Sequence, residues 1–344
     1  MLVGACSRAA ELGTIDIEMA NLSSIGIYIP RYRIEAAEVN KAWNRSGGRG
    51  QKSIAAPDED VLTMGVRAAK ACLENSDINA TELGAIYFCS VSSGYSEYAL
   101  AAQVGTVLGT RDTISAADFG LSTRVVGSAI QSANDAVNSG RLEHVLVIAS
   151  DQMRSEPGSS YELNYGAGAG AVLVSKHGFA EISNIASCTS NFIGRSKQEG
   201  AYHGLVDDRF VMKHGFISET SAAIENLGLD NQSVDKFIVQ SPDARWSGRL
   251  LKILKVNPEA LSSSAGQIGY AGCASFLIDL SVAINELSAD QNMLGITYGP
   301  GGSDAIGISI VSRFTLNPNL DDSSKNTQLL SYPEYLRYTG MIGD

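Results

Sequence analysis

No stretch of this 344-residue sequence approaches the roughly 20 consecutive apolar residues that a membrane-spanning helix needs. A basic footprint is also missing. The net charge is −11, with 26 Lys and Arg against 37 Asp and Glu, which argues against nucleic acid as a partner because phosphate binding needs a positive surface. The five cysteines, Cys6, Cys72, Cys89, Cys188 and Cys273, are widely spaced and form no CxxC pair, and the four histidines are not clustered. That excludes a zinc-ligand pattern, so no metal is expected. An odd number of cysteines in a chain this long argues against a disulfide framework and for a reducing, cytoplasmic setting. Leu2-Val-Gly-Ala-Cys6 faintly resembles a lipoprotein cleavage box, but neither a basic leader nor a long apolar run accompanies it. Residues 1–21 are expected to be a disordered extension ahead of a regular strand at Ile25-Gly-Ile-Tyr-Ile-Pro30.

What is present is an ordinary globular mix, 44% hydrophobic and 18% charged, with strand and helix patterns in alternation. A helix is predicted over Asp58–Glu74 from apolar residues at helical spacing, followed by a strand at Ala85–Ser90 and a helix near Tyr98–Leu108. A small-residue helix at Thr123–Asn138 comes next, then a strand at His144–Ala149. A glycine–alanine run, Gly166–Ala171, opens the strand Val172–Val174. The same order then recurs: helix Ser218–Leu227, strand Lys236–Gln240, helix Gly248–Leu254, small-residue helix Ala271–Ile284, strand Met293–Thr297, and a glycine-rich turn, Gly299–Asp304, before the strand Ala305–Val311. This is a duplication, with halves at 22–190 and 191–313 and a tail at 314–344. Strands such as Val145–Ala149 are apolar on both faces and belong in sheets covered on both sides. Duplication then gives an α/β architecture of five layers, helix–sheet–helix–sheet–helix, with the small-residue helices at the centre and their N-termini at a shared cleft. Both glycine-rich segments lack the Lys-Ser/Thr of a phosphate loop and lead into strands, so they are read as turns.

Several of these motifs resemble the thiolase superfamily, in its HMG-CoA synthase and ketoacyl-ACP synthase III branch. Pro57-Asp-Glu-Asp-Val-Leu-Thr-Met-Gly65 resembles the opening helix of archaeal-type HMG-CoA synthases, and Ile86-Tyr-Phe-Cys-Ser90 followed by Tyr95 resembles their first active-site strand and loop. Tyr165–Gly170 and Gly299–Asp304 resemble the glycine-rich segments closing each half, and Tyr332–Gly340 resembles the family's C-terminal end. The resemblance implies the thiolase fold and acyl transfer through a cysteine thioester at the start of the central helix.

The chemistry departs from that pattern. Aligning Gly127-Ser-Ala-Ile-Gln131 with the family's central helix puts Thr123, with Ser122 beside it, at the cysteine position. Gln240 falls at the histidine position, Tyr270 at the asparagine position and Val91 at the glutamate position. A hydroxyl without a local base does not match a thiolate, and neither Gln nor Val exchanges a proton near neutrality. No catalytic residue of the family type is therefore expected. Cys273, in the first turn of the second central helix, is the best substitute nucleophile, because a helix N-terminus lowers a thiol pKa, although small-residue packing is the favoured reading of it. Cys89, Cys72 and Cys188 read as structural thiols. His144 and His177 flank strands, whereas His203 and His214 fall in the link where this family holds CoA- or acyl-contacting loops. Tyr270 and Val91 are expected to leave the old cleft filled.

By resemblance, the chain looks most like the HMG-CoA-synthase-like subunit of the three-subunit phloroglucinol acyltransferase. That implies a non-catalytic role beside a thiolase-like catalytic subunit and a small OB-fold bridging protein, with homodimer formation through an edge strand. No cofactor is expected to be bound, and acyl-CoA or another acyl donor would be a substrate of the complex. Two alternatives stand beside this reading: an active HMG-CoA synthase or ketoacyl synthase III using Thr123, Ser122 or Cys273, and a protein that holds an acyl-CoA or polyketide-like ligand.

Overall fold

The computed structural model describes residues 19–198, 200–204 and 206–342, so Cys6 and most of the N-terminal segment lie outside the described residues. The first half runs β1 (Asn21–Tyr28), β2 (Tyr32–Glu35), α1 (Ala36–Ala42), β3 (Gln51–Ile54), α2 (Val61–Glu74) and β4 (Ala85–Cys89). It continues with α3 (Leu100–Leu108), β5 (Ser115–Phe119), α4 (Val125–Asn138), β6 (His144–Gln152) and β7 (Ala167–Ser175). The second half, grouped by sheet position so that it includes a strand before the 191 boundary read from the sequence, runs β8 (Ala180–Thr189), α5 (Asp208–Val211), α6 (Ser218–Leu227), β9 (Lys236–Val239) and α7 (Ala244–Ile253). It continues with α8 (Ala265–Ile268), α9 (Ala274–Glu286), β10 (Asn292–Gly299) and β11 (Gly302–Ile310). A single π turn, Met212–Ile217, joins α5 to α6. The tail adds α10 (Leu320–Ser324), β12 (Gln328–Leu329) and α11 (Tyr332–Tyr338), and β12 and β3 flank β2 in a small separate sheet.

The duplication is visible in strand order. The main sheet reads β5-β4-β6-β7-β1-β8-β11-β10-β9. Outward from its centre, each half is antiparallel over its inner strands and parallel beyond them: β6 pairs in parallel with β4, and β10 with β9. In the sheet, the strands of the two halves pair through Asn21–Glu181 and Leu22–Ala180. The second-half counterpart of β5 is reduced to one bridge between Phe237 and Leu261. Helices α4 and α9 each pack against strands of both halves, while α2 and α3 cover the outside of the first half and α6 and α7 that of the second. These are the five layers expected from the sequence.

Small residues make the layering possible. A side chain at Gly26 would meet the Cys72 backbone nitrogen at 2.2 Å, so α2 can lie on β1 only over glycine. Asp60 caps α2, accepting from the Thr63 backbone at 2.8 Å while Thr63 Oγ1 accepts from the Asp60 N–H. The glycine–alanine run corrects the sequence reading: Ala167–Ser175 is strand throughout and not a turn. Its glycines are there because α9 lies directly over them, where a Cβ at Gly170 would sit 2.5 Å from Leu277 Cβ. The other segment is a turn as expected, with Pro300 and Gly301 (φ 93°) as the two loop residues between the paired Gly299 and Gly302.

Candidate active site

Thr123, Gln240, Tyr270 and Val91, the four positions singled out by the resemblance, converge where the N-terminal ends of α4 and α9 approach each other. Leu121, at φ 69°, makes the sharp turn that leads into α4. Thr123 Oγ1 donates to the Tyr298 carbonyl at 2.9 Å, and Ser122 Oγ donates to the Pro300 carbonyl at 2.8 Å. Gln240 immediately follows β9 and is fully buried. Its amide nitrogen donates to the Thr123 carbonyl at 2.8 Å and to the Gly272 carbonyl at 2.9 Å, tying the starts of α4 and α9 together. Among the described residues its Oε1 has no partner. Gln240 is therefore a clamp between two backbones, and offers no proton acceptor near neutral pH.

Asp151, at the C-terminal end of β6, holds the other side of the site. It is fully buried. Its Oδ1 accepts from Ser90 Oγ at 2.9 Å, the Val91 N–H at 2.8 Å and Ser92 Oγ at 2.7 Å, and its Oδ2 accepts from the Cys273 N–H at 2.7 Å. Burial raises its pKa against the lowering effect of those donors. The sequence reading missed this residue. A carboxylate ending an otherwise apolar strand was the available signal.

The two candidate thiols do not suit nucleophilic chemistry. Cys273 and Cys89 are fully buried, and burial, with the Asp151 carboxylate adding to it, pushes both thiols well above their ordinary value. At Cys273, desolvation and a neighbouring negative charge oppose the helix dipole that made it the substitute candidate. Cys72 is likewise buried and pushed up to about 12.

The expectation of a filled cleft is also overturned. A cavity of about 1210 Å³ opens over the site and reaches Ser122, Thr123, Val91 and Tyr270. Tyr270 does not block it, because its backbone is fixed by hydrogen bonds to the Asn164 carbonyl and the Gly166 N–H and its ring lies against Tyr165. Burial pushes its phenol up to about 12, with the Thr123 side chain opposing the shift. Tyr161 and Tyr165 stack at 5.3 Å, and His203 meets both rings edge-on. His203 also lines the cavity. Burial first, then the charges of Arg195 and Lys197, lower its pKa to about 3, so it is neutral at pH 7. His214 is exposed and packs on Phe210, while His177 is exposed and His144 half-buried against Ser175 Oγ. Arg195 is a second residue the sequence reading missed, and nothing in the local pattern of the link marks it.

The nine-stranded arrangement, with two central helices meeting at one cleft, defines a thiolase fold, and comparisons with known proteins agree. The family profile of 3-oxoacyl-[acyl-carrier-protein] synthase III matches residues 121–191. The chain is 27% identical to the hydroxymethylglutaryl-CoA synthase of Thermoplasma volcanium, over 94% of this chain and 98% of that protein. It is 28% identical to that of Methanocella arvoryzae, over 93% of this chain and 98% of that protein. A crystal structure of HMG-CoA synthase complexed with CoA superposes with a TM-score of 0.84 at 19% identity, covering 93% of this chain and 90% of that one. The 3-oxoacyl-[acyl-carrier-protein] synthase III of Aquifex aeolicus gives 0.75 at 21% identity, covering 84% of this chain and 99% of that one. The chain has the thiolase fold and is similar to the HMG-CoA synthases and ketoacyl-ACP synthases III of that superfamily. Among the described residues no helix is long and apolar enough to cross a membrane, and no group of His, Cys, Asp and Glu could hold a metal ion.

Proposed function

We propose that this chain is an HMG-CoA-synthase-like, non-catalytic subunit of a multi-subunit acyltransferase that carries out Claisen-type acyl transfer. The observation that carries this reading is the state of Thr123. Its hydroxyl is committed to the Tyr298 carbonyl, and the side chain reaching the same residue from β9 is the amide of Gln240. A threonine hydroxyl needs a base to attack a thioester, and a glutamine does not supply one. The buried thiols of Cys89 and Cys273 do not replace it. In this role the cavity shapes a channel for acyl groups, while a thiolase-like catalytic subunit, bridged by a small OB-fold protein, forms the thioester in the cytoplasm. A second copy of the chain would pair along β5. That strand ends the sheet, hydrogen-bonds on one side to β4, and leaves Ser115, Ala116 and Asp118 exposed.

Intact-mass spectrometry after incubation with acetyl-CoA tests this, on the chain alone and on the chain co-expressed with candidate partners. The expected result is no acetyl adduct on this chain and an adduct on a co-purifying partner. A stoichiometric adduct on this chain overturns the reading and restores the alternative of an active synthase.

A further inference from the structure

The wall of the cavity contains a cation, Arg195, with two of its three guanidinium nitrogens unpaired among the described residues. Arg195 lines the cavity with 8% of its surface exposed, and its guanidinium lies over Tyr161 at 4.4 Å and Tyr165 at 5.3 Å from the ring centroids. Among the described residues its Nε and Nη2 have no hydrogen-bond partner. Those two nitrogens share one edge of the planar group, so their N–H bonds form the parallel fork that a carboxylate fills with both oxygens. Both atoms are buried, and a buried donor left unpaired costs free energy, a charged one more, so a small turn of the Arg195 side chain that brings the fork to the cavity and pairs it with an acceptor is favoured. The surroundings are aromatic: Tyr161, Tyr165 and Tyr270 form a contiguous cluster with Met153. His203, neutral, adds no charge of its own.

We infer that this cavity binds a small organic acid, whose flat unsaturated body lies on the tyrosine wall and whose carboxylate meets the Arg195 guanidinium. A phosphate is the competing acceptor, since Arg154 and Lys197 also line the cavity; the tyrosine rings beside Arg195 favour the carboxylate of a flat acid. The assignment deepens the reading of this cleft as an open acyl-channel chamber and rests on that reading. It does not depend on which subunit carries the thioester.

The test is equilibrium binding of 2-naphthoate to the full chain, followed by ligand fluorescence, with the uncharged 2-naphthamide and CoA as comparison ligands. The wild-type chain should bind the acid about tenfold or more tightly than the amide. Arg195→Gln should remove that discrimination, and Arg195→Lys should restore only part of it. Equal affinity for acid and amide, or no saturable binding of either to the folded chain, overturns the proposal. So does CoA binding that excludes naphthoate and is lost in Arg195→Gln, because the fork then serves a phosphate. The acid–amide comparison needs only the wild-type chain, so it stands even if the variants fail to fold. An acetyl adduct on this chain would refute the non-catalytic role and leave the naphthoate result unchanged.

Discussion

Arg124 and Asp304 form a two-point ion pair across the two halves, with Nη2 to Oδ1 at 2.9 Å and Nε to Oδ2 at 3.3 Å. Arg124 immediately follows Thr123, and Asp304 lies on β11 just beyond the Pro300–Gly301 turn. Arg124 Nη1 also donates to the Gly301 carbonyl at 2.8 Å and the Cys188 carbonyl at 3.2 Å, while Asp304 accepts from Ser187 Oγ at 2.7 Å and Thr297 Oγ1 at 3.1 Å. The pair fixes the start of α4 to the second half, and with it the position of Thr123 on the cavity.

Breaking that pair from one side should be costly. The Asp304 side chain is 2% exposed, so Arg124→Ala leaves a buried carboxylate without its counter-charge. A loss of about 3–5 kcal/mol in unfolding free energy is expected, read from the urea midpoint. A loss below about 1 kcal/mol would mean the pair behaves as a surface contact.

The thiols should be inert in the native chain. Iodoacetamide at pH 8, followed by peptide mapping, should leave Cys72, Cys89 and Cys273 unmodified until denaturant is added, since all three are buried and pushed up by burial. Thr123→Cys places a thiol on the open cavity and should be modified without denaturant. Native modification of Cys273 at a comparable rate would contradict the desolvated environment described for it.

Asp279 should make stability depend on pH. It is buried in α9, accepts from the Ser264 N–H at 2.7 Å and Ser264 Oγ at 2.6 Å, and burial pushes it up to about 7. A raised carboxyl pKa means that the folded state holds the proton more tightly than the unfolded state. The stabilisation is fully present below the unfolded value, near 4, and is lost as pH rises to about 7. The wild-type melting temperature should therefore fall between pH 5 and pH 8, and Asp279→Asn should flatten that fall. An identical slope in the variant would assign the dependence to other groups.

Much of this was legible in the chain itself. The alternation of strand and helix, the repeat and the small-residue helices are all written as residue types at given spacings. Element ends were less legible. The α2 pattern starts at Asp58, whereas the helix begins at Val61 after the Asp60 cap, and β6 continues beyond Ala149 through Ser150 and Asp151. Polar residues broke the apolar pattern there, although the strand goes on to deliver its carboxylate to the site.

The sequence by itself determined the layered fold, because hydrophobic period and small-residue placement are local properties that each segment carries into any context. Only the tertiary structure decided what the cleft is. Whether the run Gly166–Ala171 turns or extends depended on α9 lying over it. Whether Cys273 is activated or silenced depended on Asp151 and on exclusion of water, and whether Tyr270 closes the cavity depended on Tyr165 holding its ring aside. Burial and pKa are set by groups distant in the chain, so no local reading of Cys273, Tyr270 or Arg195 contains them.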